Sequence, residues 1–320
     1  LRLILVHNPG SGQNRRRRLD LESLRELTQL TVLLTGEGHD PAAIAGRILE
    51  CAPDLLLVSG GDGTLHRLLS GLLAISDLQT DWPPIAILPH GTANMAAADL
   101  GLLSRAPDAA TLRRLLAQLA ADELRPQLVE RPIVEVQLGE NHALAGLFFG
   151  TGAVSDAIEY WTRRFRRPGM GGKVSQAMTF LLLLLRLILR GPEGAGLRGH
   201  RGWLKVAGGE PVCGHFLLTI ATTLEKLLLG FRPFWQFEGA SLRVTTIEQP
   251  VPKVARHVLA VLRGRPGPRL PPEYRSFSAN ELLLSGPDRF VVDGEVHCVP
   301  AGRTLVVRAG RRVRFARLVG

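Results

Sequence analysis

The chain has 320 residues, 45% of them hydrophobic, with a formal charge of +10 and three cysteines. That length gives room for about two domains with their own cores, and the composition excludes a disordered chain. Cys51, Cys213 and Cys298 are far apart and lack any CxxC pairing, so no disulfide framework or zinc site follows and a reducing cytoplasm is expected. The positive charge is mostly arginine, with lysine only at Lys173, Lys205, Lys226 and Lys253. It suits nucleic acid, an anionic membrane or a polyanionic small substrate, and does not choose among them.

Leu1 to His7 is nearly all apolar, as a strand covered on both faces is, and is too short for a secretory signal. It runs into Asn8-Pro9-Gly10-Ser11-Gly12, and Arg15 to Arg18 open a helical pattern. Leu30 to Thr35 reads as a second strand. Asp40-Pro41 supplies an N-cap and a proline at the first helical position, for a helix ending near Cys51. Leu55 to Val58 is a third strand, followed by Gly60-Gly61-Asp62-Gly63-Thr64 and a helix over Leu65 to Ala74. Ile85 to Leu88 is a fourth, followed by Pro89-His90-Gly91-Thr92-Ala93-Asn94 and a helix over Met95 to Leu100. Strand, loop and helix repeat, which predicts a parallel, doubly wound sheet. All three small-residue loops then fall at the carboxyl edge of the sheet, where such folds bind ligands.

Pro107 to Glu123, with leucines at 112, 115, 116 and 119, reads as a helix closing this layer. After Arg125-Pro126 the pattern changes. Val134 to Leu138 alternates, and Ala143 to Phe149, Phe216 to Ile220 and Leu242 to Ile247 resemble strands of a β-rich, antiparallel second domain. Helical insertions are expected at Asp156 to Phe165, Lys173 to Arg190 and Val254 to Leu262. The apolar run Phe180 to Leu189 is interrupted by Arg186 and falls short of the roughly 20 residues a membrane span needs.

The Gly60 to Thr64 loop carries the strongest chemical signal. Its glycines let backbone approach a bulky ligand, and the helix start adds N–H groups that suit phosphate. Asp62 repels phosphate unless it holds a metal or takes a proton from an attacking hydroxyl. A tight turn with Asp62 as helix cap accounts for the same pentapeptide.

The three loops in order resemble the diacylglycerol kinase catalytic family, which includes bacterial lipid kinases and sphingosine and ceramide kinases. Val292-Asp293-Gly294-Glu295 matches that family's late Asp-Gly-Glu, and Thr35 with Gly38-His39 resembles its threonine and GHA-type element. Gly60 to Thr64 alone is shared with NAD kinases and 6-phosphofructokinases, whereas the ordered set is specific to lipid kinases. The resemblance implies an NAD-kinase/phosphofructokinase-like α/β domain over residues 1–126 and a β-rich, sandwich-like lipid-substrate domain over 127–310. A C-terminal strand near 311–320 is expected to return to the first domain.

It also implies ATP and Mg2+ as co-substrate and cofactor. Gly60, Gly61, Asp62, Gly63, Thr64, Leu65 and His66 are assigned to the nucleotide, with Asn8, Ser11, Gly12, Thr35, Thr92 and Asn94 as further walls of its pocket. Glu295 is the expected general base, with Asp62 orienting the hydroxyl or holding magnesium through water; in sphingosine-kinase-like members the aspartate is the base. Asp156 and Glu238 are further metal candidates, although a helix N-cap at Ser155 or Asp156 explains the former too. Arg67 stands where the family often has glutamate. Met95 stands where an aspartate is common, which also counts against an NAD kinase.

The expected activity is thus an ATP-dependent lipid kinase acting on diacylglycerol or a related lipid, cytoplasmic and peripheral to an anionic membrane. Arg163, Arg164, Arg166 and Arg167 are placed to meet anionic headgroups, each worth ~1 kcal/mol near such a surface, or form a solvated face. Arg15 to Arg18 read either way, and Phe180 to Leu189 is core or an acyl-chain wall. A soluble-substrate kinase such as NAD kinase is the first alternative, and a non-catalytic nucleotide- or nucleic-acid-binding protein the second. Nucleic acid is not expected, because aromatic residues make up only 5% of the chain and do not interleave with the basic ones. A homodimer is compatible with the sequence and is not required by it.

Overall fold

The computed structural model describes the chain except residues 17–18, 20, 22–23, 25–29, 78, 104–105, 140–142, 166–185, 187–189, 193, 237–238, 252–253, 266–269 and 319–320. The side chains of 161–165 and 254–256 also lie outside the description. The expected arginines at 17, 18, 163, 164, 166 and 167, the Phe180 to Leu189 run apart from Arg186, and Glu238 therefore fall outside it. The chain folds as two compact units, Leu1–Arg131 with Arg311–Gly320, and Pro132–Gly310.

In the first unit, the apolar runs become strands β1 (Leu3–His7), β2 (Leu30–Leu34), β3 (Leu55–Gly60) and β4 (Ile85–Pro89). All pair in parallel in the order β4-β3-β1-β2. Every residue of β1, β3 and β4 is buried, which is why these runs do not alternate. The connecting helices are α1 (Pro41–Cys51), α2 (Asp62–Ile75), α3 (Met95–Asp99) and α4 (Ala109–Ala120). Leu112, Leu115, Leu116 and Leu119 of α4 pack on Leu3, Leu5, Leu55 and Leu57, while α1 and α2 pack on each other.

Local signals set the helix ends. The Asp40 carboxylate accepts the Ala42 N–H at 3.0 Å, with Pro41 opening α1. Helix α4 is shorter than its leucine pattern predicts, because the Asp108 carboxylate caps it by accepting the Thr111 N–H at 2.8 Å. Pro107 therefore lies before the helix. Conversely, α2 starts earlier than its apolar pattern, so Asp62, Gly63 and Thr64 form its first turn.

The second unit is antiparallel. Strand β5 (Gln127–Leu138) leads into it and pairs with β6 (Ala143–Gly146). After β7 (Phe148–Gly152) come α5 (Ala153–Phe165), β8 (His200–Val206), β9 (Val212–Thr222), β10 (Leu242–Glu248) and α6 (Val254–Leu262). Strands β11 (Tyr274–Ala279), β12 (Glu281–Ser285), β13 (Arg289–Val292), β14 (Glu295–Cys298) and β15 (Thr304–Arg317) complete it. Its core includes Phe149, Leu204, Phe216, Leu282, Phe290 and Leu305, with the Phe149 and Phe290 rings 5.9 Å apart.

Ala143 to Phe149, which reads as one strand, is broken at Leu147. The Leu147 N–H donates to the Asp293 carboxylate at 3.0 Å, so a side chain takes the donor there. Beyond Gly310, β15 continues into the first unit, where Phe315 pairs in parallel with Ile85. Among the described residues, no helix is long and apolar enough to cross a membrane.

Candidate functional site

Three loops meet at the carboxyl edge of the first unit's sheet because each follows the end of a parallel strand. Gly61 and Gly91 touch backbone to backbone: a Cβ on Gly91 would lie 2.2 Å from the Gly61 Cα. No other residue type permits that approach. The loop after β1 joins them through side chains. Asn8 donates from Nδ2 to the Thr64 Oγ1 at 2.9 Å and accepts the Gly10 N–H on Oδ1 at 2.9 Å. The Ser11 hydroxyl donates to the His90 carbonyl at 3.4 Å, and Gly12 lies against Thr92, where a Cβ would come within 2.7 Å of the Thr92 Oγ1.

Thr35 is buried at the end of β2, with its N–H on the His7 carbonyl at 2.9 Å. Gly36 beside it faces the Asn8 side chain. Arg67 donates to the His39 carbonyl at 2.8 Å and so ties α2 to this fourth loop. The structure thus brings Asn8, Ser11, Gly12, Thr35, Gly60, Gly61, Asp62, Thr64 and Thr92 into one loop cluster. Leu65 and His66 occupy the first turns of α2 with buried side chains, His66 Nδ1 lying 3.5 Å from the Ser70 Oγ.

Two residues have their side chains engaged in building the cluster. Asn94, in a left-handed conformation at φ 54°, accepts the Gly91 N–H at 2.9 Å and donates to the carbonyls of Pro89 and Gly91 at 3.0 and 3.1 Å. Asp62 is 8% exposed, and its two oxygens accept the N–H groups of Met95 at 3.0 Å and Ala96 at 3.1 Å. It caps α3, a helix other than the one it opens. Burial pushes its carboxyl above the usual range, against the pull of those backbone donors. The N-cap of α2 is Gly61, which has no side chain to offer, so this helix start leaves the positive end of its dipole without a side-chain cap from that position.

Below the loops lies a polar layer that the motifs do not signal. His7, Asn14, Ser59 and His90 are all buried. The Ser59 Oγ lies 3.0 Å from His7 Nδ1, 3.2 Å from His90 Nδ1 and 3.1 Å from Asn14 Nδ2. Burial pushes His7 down to about 4, helped by the neighbouring His90, and lowers His90 as well. The only available signal is that apolar runs end in polar residues: LILVH, LLLVS and ILPH.

The remaining candidates lie in the second unit. Val292 and Glu295 pair across a two-residue turn in which Asp293 (φ 47°) and Gly294 (φ 91°) are both left-handed, as a type I′ hairpin needs. Glu295 is exposed. Asp293 is buried and clamps the Leu147 and Phe148 N–H groups, the latter at 2.9 Å. Asp156 is not an N-cap, nor is Ser155, because α5 starts at Ala153. One Asp156 oxygen accepts the Arg198 N–H at 3.0 Å and the other meets Arg289 at 3.5 Å; Arg289 also binds Glu159. A guanidinium thus occupies the cationic role beside Asp156. Among the described residues, no group of three or more His, Cys, Asp or Glu side chains is placed to hold a metal ion.

Residues 2–125 match the family model of the diacylglycerol kinase catalytic domain. A diacylglycerol kinase of Staphylococcus epidermidis is 31% identical over 94 residues, which span 28% of this chain and only 28% of that protein's length. A probable lipid kinase YegS-like of Yersinia enterocolitica is 24% identical over 241 residues, 71% of this chain and 75% of its own. In three dimensions, a putative diacylglycerol kinase from Bacillus anthracis superposes with a TM-score of 0.64 at 16% identity, covering 99% of this chain and 96% of that one. Another solved structure, of a diacylglycerol kinase from the same organism, gives 0.59 at 14% identity, covering 99% and 98%. The α/β fold followed by a β-rich region is therefore that of solved diacylglycerol kinases, and the chain resembles their catalytic family.

Proposed function

We propose, from the match of residues 2–125 to the diacylglycerol kinase catalytic domain, that the protein transfers the γ-phosphoryl group of ATP to a hydroxyl of diacylglycerol or a related lipid. The observation that carries this reading is the contact of Gly61 with Gly91 beside the uncapped start of α2. Two backbones with no side chains between them, next to a helix dipole, form the kind of wall a triphosphate needs. Thr64 and Thr92 add hydroxyls and Asn8 fixes the first of these.

Phosphoryl transfer asks for alignment, charge neutralisation and an acceptor for the hydroxyl proton. Glu295 is assigned the last role, since it is an exposed carboxylate with no hydrogen-bonded structural duty among the described contacts of its hairpin. Asp62 is the acid of the glycine loop and is buried within the cluster. Magnesium would enter with the nucleotide and neutralise phosphate charge, and Asp62, whose oxygens already accept the Met95 and Ala96 N–H groups, would hold it through water. Asp156 is assigned to the structural pairing with Arg289 instead. We assign the enzyme to the cytoplasmic face of an anionic membrane, where the +10 charge favours attraction.

NAD kinase chemistry is disfavoured because Met95 follows Asn94, leaving no acid there to hold a ribose. The test is labelled ATP offered with a total lipid extract, sphingosine and NAD in parallel. Label is expected in a lipid; label in NAD alone would reject the lipid reading.

A further inference from the structure

We infer that His7, Ser59 and His90 form a directed hydrogen-bond chain that holds the three loops in register and so positions the proposed ATP site. This inference rests on the kinase reading for its consequence, and on the geometry alone for its existence.

The direction follows from counting protons. His90 Nε2 lies 3.3 Å from the Pro107 carbonyl, which can only accept, so Nε2 carries the proton. Neutral His90 then has a bare Nδ1, and the single Ser59 hydroxyl proton must point to it across 3.2 Å. The Ser59 oxygen is left to accept, so His7 Nδ1, at 3.0 Å, must be protonated and donate. Asn14 Nδ2 gives one hydrogen to the Asn8 carbonyl and shares the other between the Ser59 carbonyl and this hydroxyl oxygen, at 3.1 Å. Its amide cannot be reversed, because Nδ2 also faces the carbonyls of Asn8 and Ser59 at 2.8 and 3.3 Å. The 3.4 Å between Asn14 Nδ2 and His7 Nδ1 is then the separation of two donors converging on one oxygen. His7 is thereby fixed as the Nδ1–H form and His90 as the Nε2–H form.

The three residues are 3%, 0% and 4% exposed, so water cannot replace these bonds. Each sits where a loop begins. The Ser59 carbonyl accepts the Asn8 N–H at 3.0 Å, and the His90 carbonyl accepts the Gln13 N–H at 2.8 Å. Asn8 in turn holds Thr64. A shift at Ser59 therefore moves the walls on both sides of Gly61. The chain ends on a backbone carbonyl, which cannot pass a proton onward, so these are positioning residues and not a relay.

The test uses the full chain labelled with 15N-histidine, and calorimetry with MgATP. Wild type is expected to show His7 as the Nδ1–H tautomer and His90 as Nε2–H. Ser59→Ala and His90→Leu are expected to weaken ATP binding about tenfold, the effect of losing one buried hydrogen bond. His90→Asn keeps an acceptor near the Nδ1 position and is expected to bind within about threefold of wild type. The Leu and Asn variants both lose the Pro107 bond, so their difference isolates the Ser59 contact from general destabilisation. An Nε2–H tautomer at His7, or equal affinities for His90→Leu and His90→Asn, overturns the inference. Failure of the folded wild type to bind ATP rejects the kinase reading instead, while the tautomers still decide whether the chain exists.

Discussion

The carboxylate of Asp62 accepts the backbone N–H of Met95 at 3.0 Å, so the acid of the glycine loop caps a helix that starts 33 residues later. A charged acceptor at a helix start is typically worth about 1 kcal/mol. The two duties of Asp62, capping α3 and serving the proposed chemistry, separate by substitution. Asp62→Asn retains one of the two acceptors of the cap and turns an amide donor toward the other N–H, so it is expected to lose less stability than Asp62→Ala while lowering turnover at least tenfold, a transition-state loss of about 1.4 kcal/mol. Asp62→Ala is expected to lose both. Thermal unfolding and lipid phosphorylation measured on the same preparations decide it; an Asn variant with wild-type turnover would confine Asp62 to the cap.

The contact of Gly91 with Gly61 predicts a steric effect that no flexible side chain can relieve. A methyl group at 91 meets the Gly61 backbone at 2.2 Å. Gly91→Ala is expected to cost about 1–3 kcal/mol through overpacking and to abolish measurable ATP affinity by parting the loops. Gly209→Ala is the control, since a Cβ there approaches nothing closer than 3.4 Å. Equal ATP affinity in both variants would remove the Gly61–Gly91 contact from the site.

The sheet of the first unit is legible because LILVH, LLLVSG and IAILP are strands covered on both faces and announce themselves as unbroken apolar runs. The loops' shared edge follows from strand, loop and helix repeating. Capping chemistry is legible where it is local, as at Asp40, and hidden where it is not: nothing near Asp62 in sequence points to Met95. The break at Leu147 is hidden for the same reason, since its partner Asp293 is 146 residues away. His7, Ser59 and His90 carry no periodic signal, being single polar residues at strand ends whose meaning depends on register. His7 pairs directly with Ser59 in the sheet. The Asp293–Gly294 hairpin is local and readable, whereas the duty of Glu295 beyond it is not a property of the turn.

Buried histidines predict acid sensitivity. His7 in the first unit and His200 in the second are both pushed from 6.5 down to about 4, chiefly by burial, with the neighbouring imidazoles of His90 and His215 adding to the shift. Asp288 pulls His200 the other way. The folded state binds fewer protons than the unfolded one across that window. Stability is therefore complete above pH 6.5 and is lost as pH falls toward 4. Each histidine is expected to remove about 1.5 kcal/mol between pH 6.5 and 5. Urea unfolding followed by tryptophan fluorescence checks this. In His200→Phe, the acid-induced loss should shrink by that amount; an unchanged loss would mean that His200 does not hold its proton off in the folded state.

Glu295 gives the sharpest test of the proposed chemistry, because its surroundings make structural side effects small. It is exposed, it opens β14, and the turn before it is held by Asp293 and Gly294. Glu295→Gln keeps size and strand pairing and should leave stability within about 0.5 kcal/mol. Removing a general base typically costs 10²–10⁴-fold in turnover, so lipid phosphorylation should fall by at least about 100-fold while ATP affinity stays as in wild type. Asp293→Asn is expected to behave differently. It weakens the clamp on Leu147 and Phe148 and should lower the unfolding midpoint. A Glu295→Gln enzyme that turns over normally transfers the base role to Asp62, whose raised affinity for a proton through burial already suits an acceptor of the lipid hydroxyl's hydrogen.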